Sequence, residues 1–244
     1  MNAAQHLATN GVAHLQDIVG AVRSEALDAL RNHGFYRMAS GVVLDDDALI
    51  AVAKSVGWPF GEPRDPRLVR PTSPIAAARA ASNTLASRYG FGAFPFHTDT
   101  AHLREPADFL LLYCVSPGVS RRATAVVDTR AWSLGLGEAH ILRNEVWVVR
   151  SARPPFHCTV GTGRDDLSIR CNFDCMTPAV RTRAESRAIV DEHVVRAEKV
   201  LITWSSGDLF LLDNRRMLHA RAPALQDDPD RELKRVLIRA GGET

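Results

Sequence analysis

No apolar run in this sequence approaches the ~20 residues that a membrane-spanning helix needs. The longest, residues 109–115 (FLLLYCV), is only strand-sized. The N-terminal stretch shows no basic patch followed by an apolar segment, so a soluble, cytoplasmic protein is expected. Cysteine is scarce, with four among 244 residues and no C-x-x-C pair. That excludes a disulfide scaffold and predicts reduced, packed thiols at Cys114, Cys158, Cys171 and Cys175. Cys171 and Cys175 lie in a segment that reads as a strand, and two thiolates do not make a closed zinc site. Neither charge sign dominates: 30 Lys and Arg face 28 Asp and Glu. The scattered basic residues form no stripe, so nucleic acid is not an expected partner. Repeats, low-complexity tracts and linker-like composition are also missing. One domain spanning 1–244 is therefore expected.

What is present is enough apolar residue, 45% of the chain, for one sizeable core. Residues 16–33 carry apolar positions at helical spacing and stop at Gly34. GFYRMAS is strand-like, and DDDALIAVAKSVG starts with acids that suit a helix N-terminus. This gives a helical N-terminal flank over 1–60. Residues 59–90, rich in Pro and Arg, show no period and read as a long loop or lid with one short Ala-rich helix. From 94 to 240 the texture is β. Strands are expected at 109–115, 123–128, 145–150, 167–173, 208–213 and 235–239, with helical pieces at 129–143 and 182–197. The fold class is mainly β, a sandwich or barrel with flanking helices.

One small motif carries chemistry. In FPFHTDT, His97 and Asp99 are two apart, so an extended chain points both to one side. His219 follows the strand DLFLLD and the turn NRRML, and a distant strand must bring it in. Two imidazoles and one carboxylate are the facial ligand set of a non-haem Fe(II) centre, which leaves three coordination positions open. An H-x-D pair alone is a weak signal, because short motifs arise by chance.

The stretch 207–239, GDLFLLDNRRMLHARAPALQDDPDRELKRVLIR, is far more specific. It resembles the taurine dioxygenase (TauD/TfdA) and clavaminate synthase-like family. The matching residues are Gly207-Asp208, Asp213-Asn214-Arg215-Arg216, His219, Arg221 and the segment Asp230 to Arg235. PFHTDT, FLLLYC and ATAVVDTRAW match upstream in the expected order. The resemblance implies a double-stranded β-helix (jelly-roll, cupin-like) core and Fe(II), 2-oxoglutarate and O2 as reactants. It implies an oxygenase that releases succinate and CO2 while hydroxylating, desaturating or cyclising a small acidic or amino-acid-like substrate, as in natural product biosynthesis. An aspartate at 99 implies that halogenation is not the reaction.

Residue by residue, the resemblance makes His97, Asp99 and His219 the iron ligands. Arg231, 12 residues past His219, becomes the cation that grips the distal carboxylate of 2-oxoglutarate, with Thr124 assisting. Arg235 is the alternative for that role or a substrate-binding arginine, and Arg170 is a second substrate candidate. Arg231, Arg235 and Arg239 are four apart, so on a straight strand all three share a face at intervals of about 13 Å, and Arg239 is expected at the surface. His102 and His157 are expected outside the ligand set, and Trp204 in the core. Asp213 and Asn214 are expected to organise the turn before His219, and Asp208 to sit in another turn. The chain departs from the family pattern at Arg121 and Arg122, where glycines are usual, and at Glu232, where an aromatic residue is usual. Read without the resemblance, a non-catalytic β-barrel binding protein with a vestigial metal site stays open, and the oligomeric state is unknown.

Overall fold

The apolar stripe over residues 16–33 folds as one helical rod. In this computed structural model, which describes residues 15–73, 75–80, 85–151, 154–163, 167–180, 183–222 and 228–241, the rod comprises α1 (Leu15–Ala21), a π-helical turn (Val22–Ala26) and α2 (Leu27–His33). Ile18, Val22, Ala26 and Leu30 are all buried. Steps of four overshoot a 3.6-residue turn by about 40°. The wider π turn offsets that drift and keeps the four in line. Gly34, at φ 77°, ends the rod with its N–H bonded to the Leu30 carbonyl, the left-handed cap that glycine favours.

β1 (Phe35–Ala39) follows, then α3 (Asp46–Lys54), whose first turn is capped by the Asp45 carboxylate accepting from the Ala48 N–H at 2.8 Å. The 59–90 region is less irregular than expected. It contributes β2 (Gly57–Phe60) and β3 (Val69–Pro71) to the larger sheet, and then the short helix α4 (Leu85–Tyr89). Pro59 and Pro71 obscure these strands in the sequence, and proline is tolerated because both lie at the sheet margin. Residues 74 and 81–84 of the lid lie outside the described residues.

The β region runs β4 (Phe94–His97), β5 (Phe109–Ser116), β6 (Thr124–Asp128), α5 (Leu136–Asn144), β7 (Trp147–Val149), β8 (Phe156–Cys158), β9 (Gly161–Thr162), β10 (Ser168–Ile169) and β11 (Met176–Pro178). It continues with α6 (Glu185–Arg196), β12 (Val200–Ile202), β13 (Asp208–Asp213), β14 (Met217–Arg221) and β15 (Glu232–Ala240). The strand expected at 167–173 shrinks to Ser168–Ile169, and Cys171 and Cys175 lie beyond it in non-strand segments. The helix expected from 129 opens as a 3-10 turn and becomes α-helical only at Leu136.

Two antiparallel sheets face each other in a jelly roll. The larger has the order β1-β13-β5-β15-β2 with β3 also on β15, and the smaller has β12-β6-β14-β4. Leu110, Leu112, Phe210, Leu212, Leu233 and Leu237 of the larger sheet meet Val126, Ile202 and Met217 of the smaller one in the interior. The opposite face of the larger sheet, with Leu111, Tyr113, Leu209, Leu211, Val236 and Ile238, packs under the N-terminal helices. β5 and β13 are thus buried on both faces, which is why their sequences are continuously apolar rather than alternating. The outer face of the smaller sheet, with Val127 and Leu218, packs against Leu142 of α5 and Ile189 and Val190 of α6. Among the described residues no helix is long and apolar enough to cross a membrane.

α6 has no capping side chain of its own. The Glu145 carboxylate caps it from across the fold, accepting from the N–H groups of Glu185 at 3.1 Å and Ser186 at 2.7 Å and from the Ser186 hydroxyl. Burial pushes the Glu145 pKa up, but the bonds from Ser186 and Glu185 outweigh it and hold the group below its ordinary value. Glu145→Ala is expected to cost about 1 kcal/mol. A carboxylate with a depressed folded pKa contributes above its unfolded pKa, near 4.3, and loses that contribution as pH falls through the folded value. Thermal melts of both proteins should therefore differ at pH 7 and converge in acid.

Candidate metal centre

The hydrophobic pattern sets β4 and β14 side by side with His97 directly opposite His219. Cross-strand partners share a face, and the two imidazole centroids lie 4.2 Å apart. His219 is thus carried by its own strand, although residues 217 and 218 read as turn in the sequence. Asp99 follows β4 in a tight turn where Thr100 takes φ 56°. Its Oδ1 lies 3.5 Å from His97 Nε2 and 3.9 Å from His219 Nε2. All three residues are buried, and among the described residues this is the one cluster of His, Cys, Asp or Glu that could hold a metal ion.

The protonation pattern suits ligands. His97 Nδ1 is 3.0 Å from the Pro95 carbonyl. A carbonyl only accepts, so Nδ1 donates to it, and that bond fixes the ring with Nε2 on the side of Asp99 and His219. Burial, and then the neighbouring His97, push His219 down to about 3, so it stays neutral. Burial would raise Asp99, but Arg235 and the two imidazoles overcome it and hold the carboxylate well below the usual range. Two imidazoles and one carboxylate are an open Fe(II) donor set.

Asn214 fixes the third member of the cluster. Its Oδ1 accepts the Asp99 N–H at 2.8 Å, and its Nδ2 donates to the Asp99 carbonyl at 3.0 Å and the Ala107 carbonyl at 2.8 Å. The role expected for Asn214 in its own turn is therefore too small: it clamps a peptide 115 residues away. Asn214→Ala is expected to weaken iron binding 10- to 100-fold, as removal of an outer-shell partner does, measured by competitive chelation of Fe(II). Asp213 keeps its turn role and accepts from the Arg215 N–H. Asp208 closes the turn before β13, its N–H bonded to the Ser205 carbonyl at 3.1 Å and its Oδ2 accepting the Ser205 N–H at 2.9 Å; it also begins β13 and pairs with Arg37.

The arginines separate. Arg235 Nη1 donates to Asp99 Oδ2 at 2.8 Å, leaving Oδ1 toward the histidines, and its Nη2 donates to Glu62 at 2.7 Å. Glu62 also pairs with Arg70 and, at 3.0 Å, with His102. His102 is thus joined to Asp99 only through Glu62 and Arg235 in turn. Arg231 is 4% exposed, its Nε has no hydrogen-bond partner, and no carboxylate bonds it among the described residues. A register shift between Glu232 and Leu233 separates Arg231 from the regular part of β15, so the three arginines do not follow one straight strand. Arg239 lies at the surface on Glu105.

Arg170 does something unforeseen. It donates to the carbonyls of Ala101, Leu103 and Arg104 and lies over the Phe156 ring. It clamps the loop after Asp99. Thr124 sits on the interior face of β6, two residues from Val126, the cross-strand partner of His219. Its hydroxyl accepts from the Trp204 indole N–H at 3.0 Å. Trp204 is in the core as expected, but its polar contact left no sign in the sequence. His157 is exposed on β8.

Known proteins share this architecture. Residues 8–187 and 143–237 match the family model described as taurine catabolism dioxygenase TauD, TfdA family. No curated protein matches the sequence at a significant level. Among solved structures, asparagine oxygenase is 17% identical with a TM-score of 0.73, covering 93% of this chain and 83% of its own. The non-heme iron oxygenase OrfP in complex with Fe and alpha-ketoglutaric acid is 18% identical with a TM-score of 0.68, covering 92% and 84%. OrfP in complex with Fe, succinate and (3S)-hydroxy-L-Arg is 18% identical with a TM-score of 0.69, covering 92% and 84%. The jelly roll is accordingly the double-stranded β-helix of these oxygenases. With the family model spanning most of its length, this chain belongs to the TauD/TfdA dioxygenase family.

Proposed function

We propose that the chain, as one catalytic domain over 1–244, is an Fe(II)- and 2-oxoglutarate-dependent oxygenase that hydroxylates an amino-acid-like small molecule, releasing succinate and CO2. The observation that carries this reading is the pairing of a buried His97–Asp99–His219 triad with the buried Arg231 guanidinium, which no protein carboxylate bonds among the described residues. A bound ferrous ion supplies O2 activation and the chelation of a 2-oxo acid. The protein does the rest. His97, Asp99 and His219 hold the ion, and Arg235 orients Asp99 so that one oxygen faces it. Arg231 and Thr124 supply a charged fork and a hydroxyl to the far carboxylate of 2-oxoglutarate.

The substrate reading rests on charge. Arg235 and Glu62 place a cation and an anion side by side next to the triad, with Arg235 bonded to Asp99 at 2.8 Å and to Glu62 at 2.7 Å. A zwitterion can meet both, its carboxylate on Arg235 and its ammonium on Glu62. The solved relatives act on, or hold, asparagine, hydroxyasparagine and hydroxyarginine. Four unpaired cysteines suit a reducing cytoplasm. The test is succinate release with Fe(II), 2-oxoglutarate and ascorbate across a panel of free amino acids. At least one should raise succinate above the uncoupled background. No succinate with any of them, together with no 2-oxoglutarate binding, overturns the proposal.

A further inference from the structure

The indole N–H of Trp204 can only donate, and it meets the Thr124 hydroxyl at 3.0 Å with both side chains buried, at 2% and 5% exposure. Thr124 Oγ1 is therefore the acceptor in this bond. A hydroxyl has one proton, and among the described residues Thr124 donates it to nothing. The proton is left for the interior, on the face that also carries His219. Trp204 itself is locked by Phe210, edge-to-face at 6.1 Å, and by the aliphatic core between the sheets. Resting on the function proposed above, in which Thr124 and Arg231 hold the far end of 2-oxoglutarate, we propose that Trp204 is a positioning residue that occupies one lone pair of Thr124 and turns its proton toward the co-substrate. Arg231 has donors only. The end wall of the co-substrate pocket is then all donors, and it selects a carboxylate, which only accepts, over a carboxamide, whose N–H groups would face other donors.

A rotatable hydroxyl would not discriminate in this way. Freed of the indole, Thr124 can turn its lone pairs to the pocket and accept from an amide. Trp204 therefore sets a chemical preference as well as filling space. A site with committed hydrogen-bond roles rejects a mismatched ligand because its buried groups are left unpaired.

The test uses two non-reactive chelators, N-oxalylglycine and its carboxamide counterpart N-oxalylglycinamide, titrated anaerobically into the Fe(II)-loaded protein by calorimetry. The wild type should prefer the carboxylate by about 100-fold. Trp204→Phe should weaken N-oxalylglycine about tenfold and cut the preference several-fold, while Thr124→Ser should keep it. Thr124→Val should abolish the preference contributed by the hydroxyl, and adding Trp204→Phe to it should change little more, since the two act as one unit. Trp204 replaced by 3-benzothienylalanine keeps the shape of the ring without the N–H. It should behave as Trp204→Phe, and it decides the question if the phenylalanine variant misfolds. Unchanged affinity and preference in the folded benzothienyl protein overturn the role of Trp204, as do effects of Trp204→Phe and Thr124→Val that simply multiply. A wild type that binds neither chelator overturns the underlying function instead.

Discussion

Asp99→Ala should yield a folded protein that no longer retains iron and forms no succinate. The triad loses its single anion, and only the two imidazoles remain on adjacent strands. Outer-shell losses alone weaken metal sites 10- to 100-fold, so removal of the charged ligand should exceed about 100-fold in affinity. The scaffold should survive, because Arg235 keeps its bond to Glu62 at 2.7 Å and is not stranded without a counter-ion. Metal content after gel filtration and succinate release check this directly. An Asp99→Ala protein that keeps stoichiometric iron would show that the ion is held elsewhere. Because His219 is held neutral by burial, iron should bind near pH 7 without displacing a proton from it.

Arg231→Leu should raise the Kd for 2-oxoglutarate by about 10² to 10³, the effect of losing a bidentate charged contact of about 3–4 kcal/mol. The same change should leave thermal stability unchanged or raise it. A buried guanidinium without a bonded carboxylate is a cost to the fold, and an apolar side chain of similar reach removes that cost. Arg235→Leu should behave in the opposite sense. It strands Asp99 as a buried anion, while Glu62 keeps Arg70 and His102, and should lower the melting temperature. Anaerobic titration of 2-oxoglutarate together with thermal melts separates the two arginines. If Arg231→Leu binds 2-oxoglutarate normally and Arg235→Leu does not, their assignments exchange.

Much of this is readable from the sequence, for local reasons. β5 and β13 are continuous apolar runs because both faces are buried, and α3 announces itself through Asp45 and the acids after it. His97 and Asp99 are two apart on an extended segment, and that spacing alone places them together. The features that the sequence hides are set by partners distant along the chain. Asn214 reads as a turn residue, and only the fold reveals that it holds the Asp99 peptide. Arg170 reads as a spare cation, while its donors are taken by three carbonyls about 67 residues upstream. β2 and β3 are hidden by proline, which suppresses the usual strand signal yet is harmless at a sheet margin. The pairing of Trp204 with Thr124 has no local signature, since apolar packing and a hydrogen-bonding role look the same in a lone tryptophan.

The opposed histidines also bear on how the chain reaches this state. Residues 97 and 219 are neighbours across two strands although 122 positions separate them. Closing a loop of that length is entropically slow and is rewarded only when most of the smaller sheet has formed. Iron capture should therefore come late in refolding, after the helices and the local hairpins. Once bound, the ion ties the two ends of this long loop together and stabilises the native state in proportion to the logarithm of its free concentration. In the cell, iron supply would then govern the lifetime of the protein as well as its turnover.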